Sequence, residues 1–226
     1  MNKTMSLLAL PALLALTIPA QAANRTTYNA ALVSDYLFRG LTQTDNGPAI
    51  QGGADVVNGN AYGGIWFSNV DMPDHAEGLP VEMDVYFGYN NQFDGFNLDM
   101  EVLTYNYLND GISDETEFKL GTNPVKGLDI NIYRGVKGKT WYPEVTYEKF
   151  LPQRLYLDLA AGYWLPDDGD DSALTLRAEL ARDFPELSNI DLFIAADYIS
   201  DETPFGNKND DDDSELTFLF GVRKNF

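Results

Sequence analysis

Between Glu215 and Phe226 the chain reads ELTFLFGVRKNF, a stretch that very few folds can accommodate. Taken in twos from its end, Phe226, Lys224, Val222, Phe220, Phe218 and Leu216 form a largely apolar and aromatic set. The interleaved residues Asn225, Arg223, Gly221, Leu219, Thr217 and Glu215 are mostly polar or small. Successive side chains of a strand point to opposite faces, so this alternation describes an extended segment with two unlike surroundings. The rhythm recurs upstream. Val81, Met83, Val85, Phe87 and Tyr89 alternate with Glu82, Asp84, Tyr86, Gly88 and Asn90. Leu174, Leu176 and Leu180 alternate with Thr175, Arg177 and Glu179, and Leu192 and Ile194 with Asp191 and Phe193.

Gly, Pro, Asn and Asp clusters cut the chain into twelve such segments: 27–39, 49–58, 61–70, 81–90, 96–108, 115–122, 127–135, 141–150, 154–165, 172–183, 190–200 and 214–226. An even number suits a single-chain antiparallel barrel. The connections alternate in length. One set, around Gly59, 92–95, 123–126, 151–153 and 184–189, is short; the other, 40–48, 71–80, 109–114, 136–140, 166–171 and 201–213, tends to be longer and more acidic. Short turns at one rim and longer loops at the other are a property of outer-membrane barrels that a soluble sandwich has no reason to share. A strand ending on an aromatic residue such as Phe226 resembles the terminal strand of those barrels, which implies recognition by the barrel-assembly machinery. Tyr36, Tyr89, Trp141, Tyr163 and Tyr198 fall near strand ends, where interfacial aromatic girdles belong.

The first 22 residues place Lys3 before an apolar run from Leu7 to Ile18 and then Ala20-Gln21-Ala22, the order of a secretory signal peptide with its cleavage site. Residues 23–226 are therefore expected to form one domain, an all-β, transmembrane, antiparallel up-and-down barrel of about twelve strands in the cell outer membrane. With 35 acidic and 15 basic residues the chain carries a formal charge of −20, which repels phosphate backbones and excludes nucleic acid as a partner. The absence of cysteine removes thiolate metal sites and disulfides, and no cofactor is expected.

The stretches 34–44 (SDYLFRGLTQT), 48–53 (PAIQGG), 62–71 (YGGIWFSNVD) and 82–89 (EMDVYFGY) resemble the opening of the TorF-type porin family. The likeness is specific over residues 33–90 and diffuse beyond. It implies an outer-membrane barrel of channel type and no known substrate.

A barrel lumen is polar, and the charges lining it set selectivity. By parity the lumenal acids are Asp35, Asp55, Glu82, Asp84, Asp99, Glu101, Glu117, Asp129, Glu144, Asp158, Glu179, Asp191, Asp197 and Glu215, against the bases Arg39, Lys119, Arg154, Arg177 and Arg223. Among these Asp35, Arg39, Glu82, Asp84, Asp99, Glu101, Arg177 and Glu179 are the candidates for the pore lining. Asp35 and Arg39, four apart on one face of a strand, are expected to join Glu82 and Asp84 in a constriction or in an ion-pair network that fixes register. Arg39 would pair with Asp35 or Asp84. The corresponding function is passive diffusion of small hydrophilic solutes, with cations preferred. The alternative is a non-conducting structural or adhesive barrel whose lumen is filled by side chains. A soluble periplasmic β protein is the third reading.

The acidic runs 167–171 and 210–213 have the ligand type for Ca²⁺ or Mg²⁺, but the first lacks the downstream Glu of an EF-hand loop, and both read as solvated loops. His75, the single histidine, sits among Asp71, Asp74 and Glu77 without any nucleophile motif, so no enzyme is expected.

Overall fold

A segment with one apolar and one polar flank leaves a row of unpaired backbone groups at each edge, and a sheet of such segments loses both edges only by closing on itself. The computed structural model describes residues 25–71, 81–108, 115–167, 172–188, 190–201 and 214–226. Its strands are β1 (Arg25–Val33), β2 (Leu37–Phe38), β3 (Leu41–Thr42), β4 (Ala49–Asn58), β5 (Ala61–Asn69), β6 (Val81–Phe93), β7 (Phe96–Tyr107), β8 (Glu115–Val125), β9 (Leu128–Gly135), β10 (Thr140–Leu151), β11 (Leu155–Pro166), β12 (Ala173–Phe184), β13 (Ile190–Ile199) and β14 (Glu215–Asn225). All but β2 and β3 form one closed barrel of twelve antiparallel staves, each beside its neighbours in the chain. β1 seals it against β14, with Leu32 opposite Val222 and Ala30 opposite Lys224.

Parity is kept along the staves except at the end of β8, where the pairing with β9 shifts between Thr122 and Val125. The outer surface is apolar: Phe218 is 74 %, Ile50 73 %, Phe220 67 % and Phe87 63 % exposed. Glu82, Asp84, Glu101, Glu117, Glu144 and Glu179, from alternate positions of β6, β7, β8, β10 and β12, are buried inside. This is the inverse of a soluble fold, where leucines and phenylalanines meet in the centre. No helix among the described residues is long and apolar enough to cross a membrane, which says nothing about strands.

Eleven of the twelve predicted segments lie within three residues of the observed staves, the largest difference being the extra turns of strand at Phe93 and Val125. The first segment does not. It was expected to run unbroken to Arg39, followed by an outer loop at 40–48, but β1 stops at Val33, directly opposite Ala49 of β4. The residues between them fold into the barrel and carry the short β2–β3 hairpin. The cause is visible in the chain: beyond Val33 the alternation breaks, with Tyr36, Leu37 and Arg39 all buried, so no single stave can present them. Two further expectations are corrected. Tyr36 is inside, not in a girdle, and packs edge-on against Trp66 of β5 with ring centres 5.3 Å apart. Arg154 is exposed in the short helical turn Pro152–Arg154, because the β10–β11 connection lifts it out of the stave it was assigned to. Tyr89, Trp141 and Tyr163 do face outward. The predicted signal peptide, His75, residues 168–171 and the run 210–213 lie outside the described residues.

Candidate functional site

The inward hairpin is built by local polar bonds that a buried turn requires. The Thr42 hydroxyl donates to Asp35 Oδ1 at 2.7 Å, and Thr44 Oγ1 accepts the Tyr36 N–H at 3.0 Å. Backbone bonds from Gln43 N to Tyr36 O and from Asp71 N to Gln43 O, both 2.7 Å, tie it together and to the end of β5. Its tip needs a glycine: Gly40 has φ +91°, and a Cβ there would stand 2.9 Å from Ile199 Cβ of β13.

From this tip Arg39 reaches across the lumen. Its two terminal nitrogens donate to the two carboxylate oxygens of Glu117 on β8, each at 2.8 Å, and Glu117 Oε2 also accepts the Tyr105 hydroxyl at 2.9 Å. Aromatic faces enclose the guanidinium. Its Cζ lies 4.0 Å from the ring centre of Tyr142, 4.7 Å from Trp164, and 4.8 Å from both Tyr133 and Phe38. Fork-shaped pairing with a carboxylate and stacking on rings are the two interactions that suit arginine better than lysine. The cage walls hold themselves in place. Tyr142 shares a 2.7 Å hydrogen bond with Thr175, packs onto Trp164 at 5.0 Å between ring centres, and lies against Gly162 of the neighbouring stave. Phe38 wedges edge-on between Tyr105 at 5.5 Å and Trp164 at 6.3 Å. At this level the hairpin packs against the cage rings and leaves a cavity of about 20 Å³ beside Arg39, Tyr142 and Glu144.

Among the described residues, two other ion-pair groups lie in the interior. On β12 to β14, Arg177 binds Asp197 at 2.5 Å and Glu179 at 2.9 Å, and Arg223 takes the other Glu179 oxygen at 2.6 Å. On β7 and β8, Lys119 binds Asp99 at 2.7 Å and lies 3.9 Å from Glu101, while the Tyr62 hydroxyl donates to Asp99 at 2.7 Å. Carboxylates remain in excess. Among the described residues twelve Asp and Glu side chains are buried, against the bases Arg39, Lys119 and Arg223 and the nearly buried side chain of Arg177. Glu82, Asp84 and Glu144 each keep a buried oxygen without a hydrogen-bond partner. No group of three or more His, Cys, Asp or Glu among the described residues is arranged to hold a metal ion.

The predicted lining residues Asp35, Arg39, Glu82, Asp84, Asp99, Glu101 and Glu179 are all buried in the interior, with the Arg177 side chain beside them. They do not form one constriction. Glu82 and Asp84 sit on β6, Asp35 is used inside the hairpin, and Arg39 pairs with Glu117 instead of Asp35 or Asp84. The expected pairing assumed that residues 35–39 continued a stave. Tyr133, Tyr142 and Trp164 were not singled out by sequence, although parity with Glu144 and Gly162 places the latter two on the lumenal face. Phe226 is outward and 64 % exposed, beside Lys224, whose Nζ is 4.8 Å from its ring centre. At the rim of the longer connections, Arg134 binds Asp167 through two contacts of 2.9 and 2.5 Å, and this hydrogen bonding holds the Asp167 carboxyl below its ordinary 3.8.

Fold and lumen together define a closed twelve-stranded β-barrel with an apolar exterior and a charged, hairpin-filled interior. The chain belongs to the Gcw_chp family, described as a bacterial protein of unknown function, whose model matches residues 19–183. No curated protein matches the chain.

Proposed function

We propose that the protein is an outer-membrane channel for passive diffusion of small hydrophilic solutes, preferring cations, and that the inward 34–48 segment closes it in the form described. The observation that carries the reading is the pairing of a lipid-like outer face with a lumen in which buried carboxylates outnumber bases. Unbalanced buried carboxylates attract cations and repel anions along any path that opens beside them. The apolar outer face favours the outer membrane as the location and lipid as its partner, because soluble proteins rarely expose apolar surface of that extent. The likeness of residues 33–90 to TorF-type porins points the same way. Assembly through Phe226 belongs to the same proposal.

The packed cage favours one rival, a non-conducting structural barrel, since side chains alone can fill a small lumen. Planar-bilayer recording separates the two. Wild-type protein should conduct rarely, a variant with residues 36–44 replaced by a short Gly-Ser linker should give frequent single-channel steps, and its reversal potential in a KCl gradient should show K⁺ carrying most of the current. Silence from the linker variant removes the channel; selectivity for Cl⁻ removes the charge argument.

A further inference from the structure

We infer that the lumenal cage of Tyr133, Tyr142, Trp164 and Glu117 is a binding site for small guanidinium compounds, and that Arg39 occupies it as a tethered stand-in for such a ligand. Four of the five groups around the guanidinium come from the staves: β8 supplies Glu117, β9 Tyr133, β10 Tyr142 and β11 Trp164, while Phe38 belongs to the hairpin and leaves with Arg39. The rings are fixed by Thr175, by Gly162 and by one another, so the site persists when Arg39 leaves it. Its chemistry is selective. A planar cation with two parallel N–H donors satisfies Glu117 and lies against aromatic faces at once, which neither a metal ion nor an anion does.

Arg39 fills the site incompletely. Its Nε is buried without a hydrogen-bond partner. So is Oε1 of Glu144, a side chain only 2 % exposed that borders a cavity of about 20 Å³ together with Arg39, Tyr142 and Thr175. A cavity of that size takes one water or a small group of a ligand. A guanidinium free of the hairpin can turn a third edge toward Glu144, which the tethered one does not reach. The tether is strained at its tip. β2 and β3 share only two residue pairs, and Arg39 and Gly40 both have positive φ, 49° and 91°, where a non-glycine residue is disfavoured. The surplus of lumenal carboxylates would concentrate cations around the site.

The inference rests on the channel reading only for the route by which a ligand arrives, so binding is measured apart from conductance. Detergent-solubilised protein is titrated with methylguanidinium chloride by calorimetry, with tetramethylammonium chloride at equal ionic strength as control, and hydrogen exchange of residues 34–48 is followed by mass spectrometry. Wild type should bind methylguanidinium saturably, with faster exchange in 34–48 as Arg39 is displaced, and should ignore tetramethylammonium. Arg39→Ala should bind at least about tenfold more tightly, because the internal competitor no longer holds the site. Arg39→Ala/Glu117→Gln should lose binding. Circular dichroism and heat-dependent gel migration confirm that each variant is a folded barrel. Binding by Arg39→Ala with none by wild type would make the cage a structural pin and overturn the inference, as would binding that leaves exchange in 34–48 unchanged, or no binding by either protein. Binding without conductance would overturn the channel and leave this site standing; conductance without binding would do the reverse.

Discussion

Arg39 and Glu117, seventy-eight residues apart in sequence, meet in the lumen with two parallel 2.8 Å bonds, and neither side chain is more than 4 % exposed. A buried pair of this kind is worth little against an apolar pair of the same size, yet removing one partner strands the other charge. Glu117→Gln is therefore expected to lower stability by about 3–5 kcal/mol. Arg39→Met/Glu117→Leu should recover most of that loss. Urea unfolding of vesicle-inserted protein, followed by tryptophan fluorescence, gives both numbers; equal losses in the single and double variants would contradict the argument.

The hairpin depends on Gly40 for two independent reasons, its φ of +91° and the 2.9 Å approach of a Cβ to Ile199. Strain of this type costs on the order of 1–3 kcal/mol, and it falls on the hairpin rather than on the barrel, whose stave pairing does not include Gly40. Gly40→Ala should thus leave the circular dichroism of the barrel unchanged while accelerating hydrogen exchange at the Gln43 amide, which bonds Tyr36 O at 2.7 Å. Unchanged exchange would mean that the tip tolerates a side chain.

Arg134, at the end of β9, and Asp167 tie that stave end to the connection after β11, helped by the bond from Asp167 N to Lys139 O at 2.9 Å. The hydrogen bond from Arg134 depresses the Asp167 carboxyl below 3.8. A carboxyl lowered on folding adds stability that is complete above its ordinary pKa and disappears as the pH falls through the folded one. The tie should accordingly hold at neutral pH and open only in the range below 3.8. An NMR titration of the Asp167 side chain should give a midpoint under that value in wild type and a return toward it in Arg134→Ala; identical midpoints would show that the contact does not form in solution.

The barrel was legible because every stave has two environments and period two is the strongest signal an extended segment can carry. That signal set stave boundaries from Ala49 onward and put Glu82, Asp84, Glu101 and Glu179 inside. It failed at residues 34–48. Over residues 35–40 both parities are buried or nearly so, so alternation carries no information, and the four-residue spacing of Asp35 and Arg39 imitated a strand that does not exist. The partner of Arg39 was equally hidden. Which of many lumenal carboxylates it meets is decided by how far the hairpin reaches across the barrel, and Glu117 lies on β8, distant around the barrel from β1 and β4 that flank the hairpin. Trp164 and Tyr142 were accessible in principle, since each sits beside an outward aromatic, Tyr163 or Trp141, and must therefore point inward.

The outer face offers the sharpest discrimination between a membrane barrel and a soluble one. Ile194 lies midway along β13 and is 62 % exposed, while its neighbours Phe193 and Ala195 are buried inside. In water, replacing an exposed isoleucine by lysine touches nothing that packs, and surface changes of this sort usually stay within about 0.5 kcal/mol. In a bilayer the same position is near the middle of the stave, where a lysine on the lipid face costs about 2–4 kcal/mol, falling toward zero near the interfaces. Ile194→Lys is expected to lose about that amount in vesicles. Leu174→Lys, at the rim end of β12 where Leu174 N bonds Ser200 Oγ at 2.8 Å, should lose much less. Equal and small effects at the two positions would remove lipid from the account of this surface, because only a depth-dependent solvent distinguishes two outward-facing residues of the same kind.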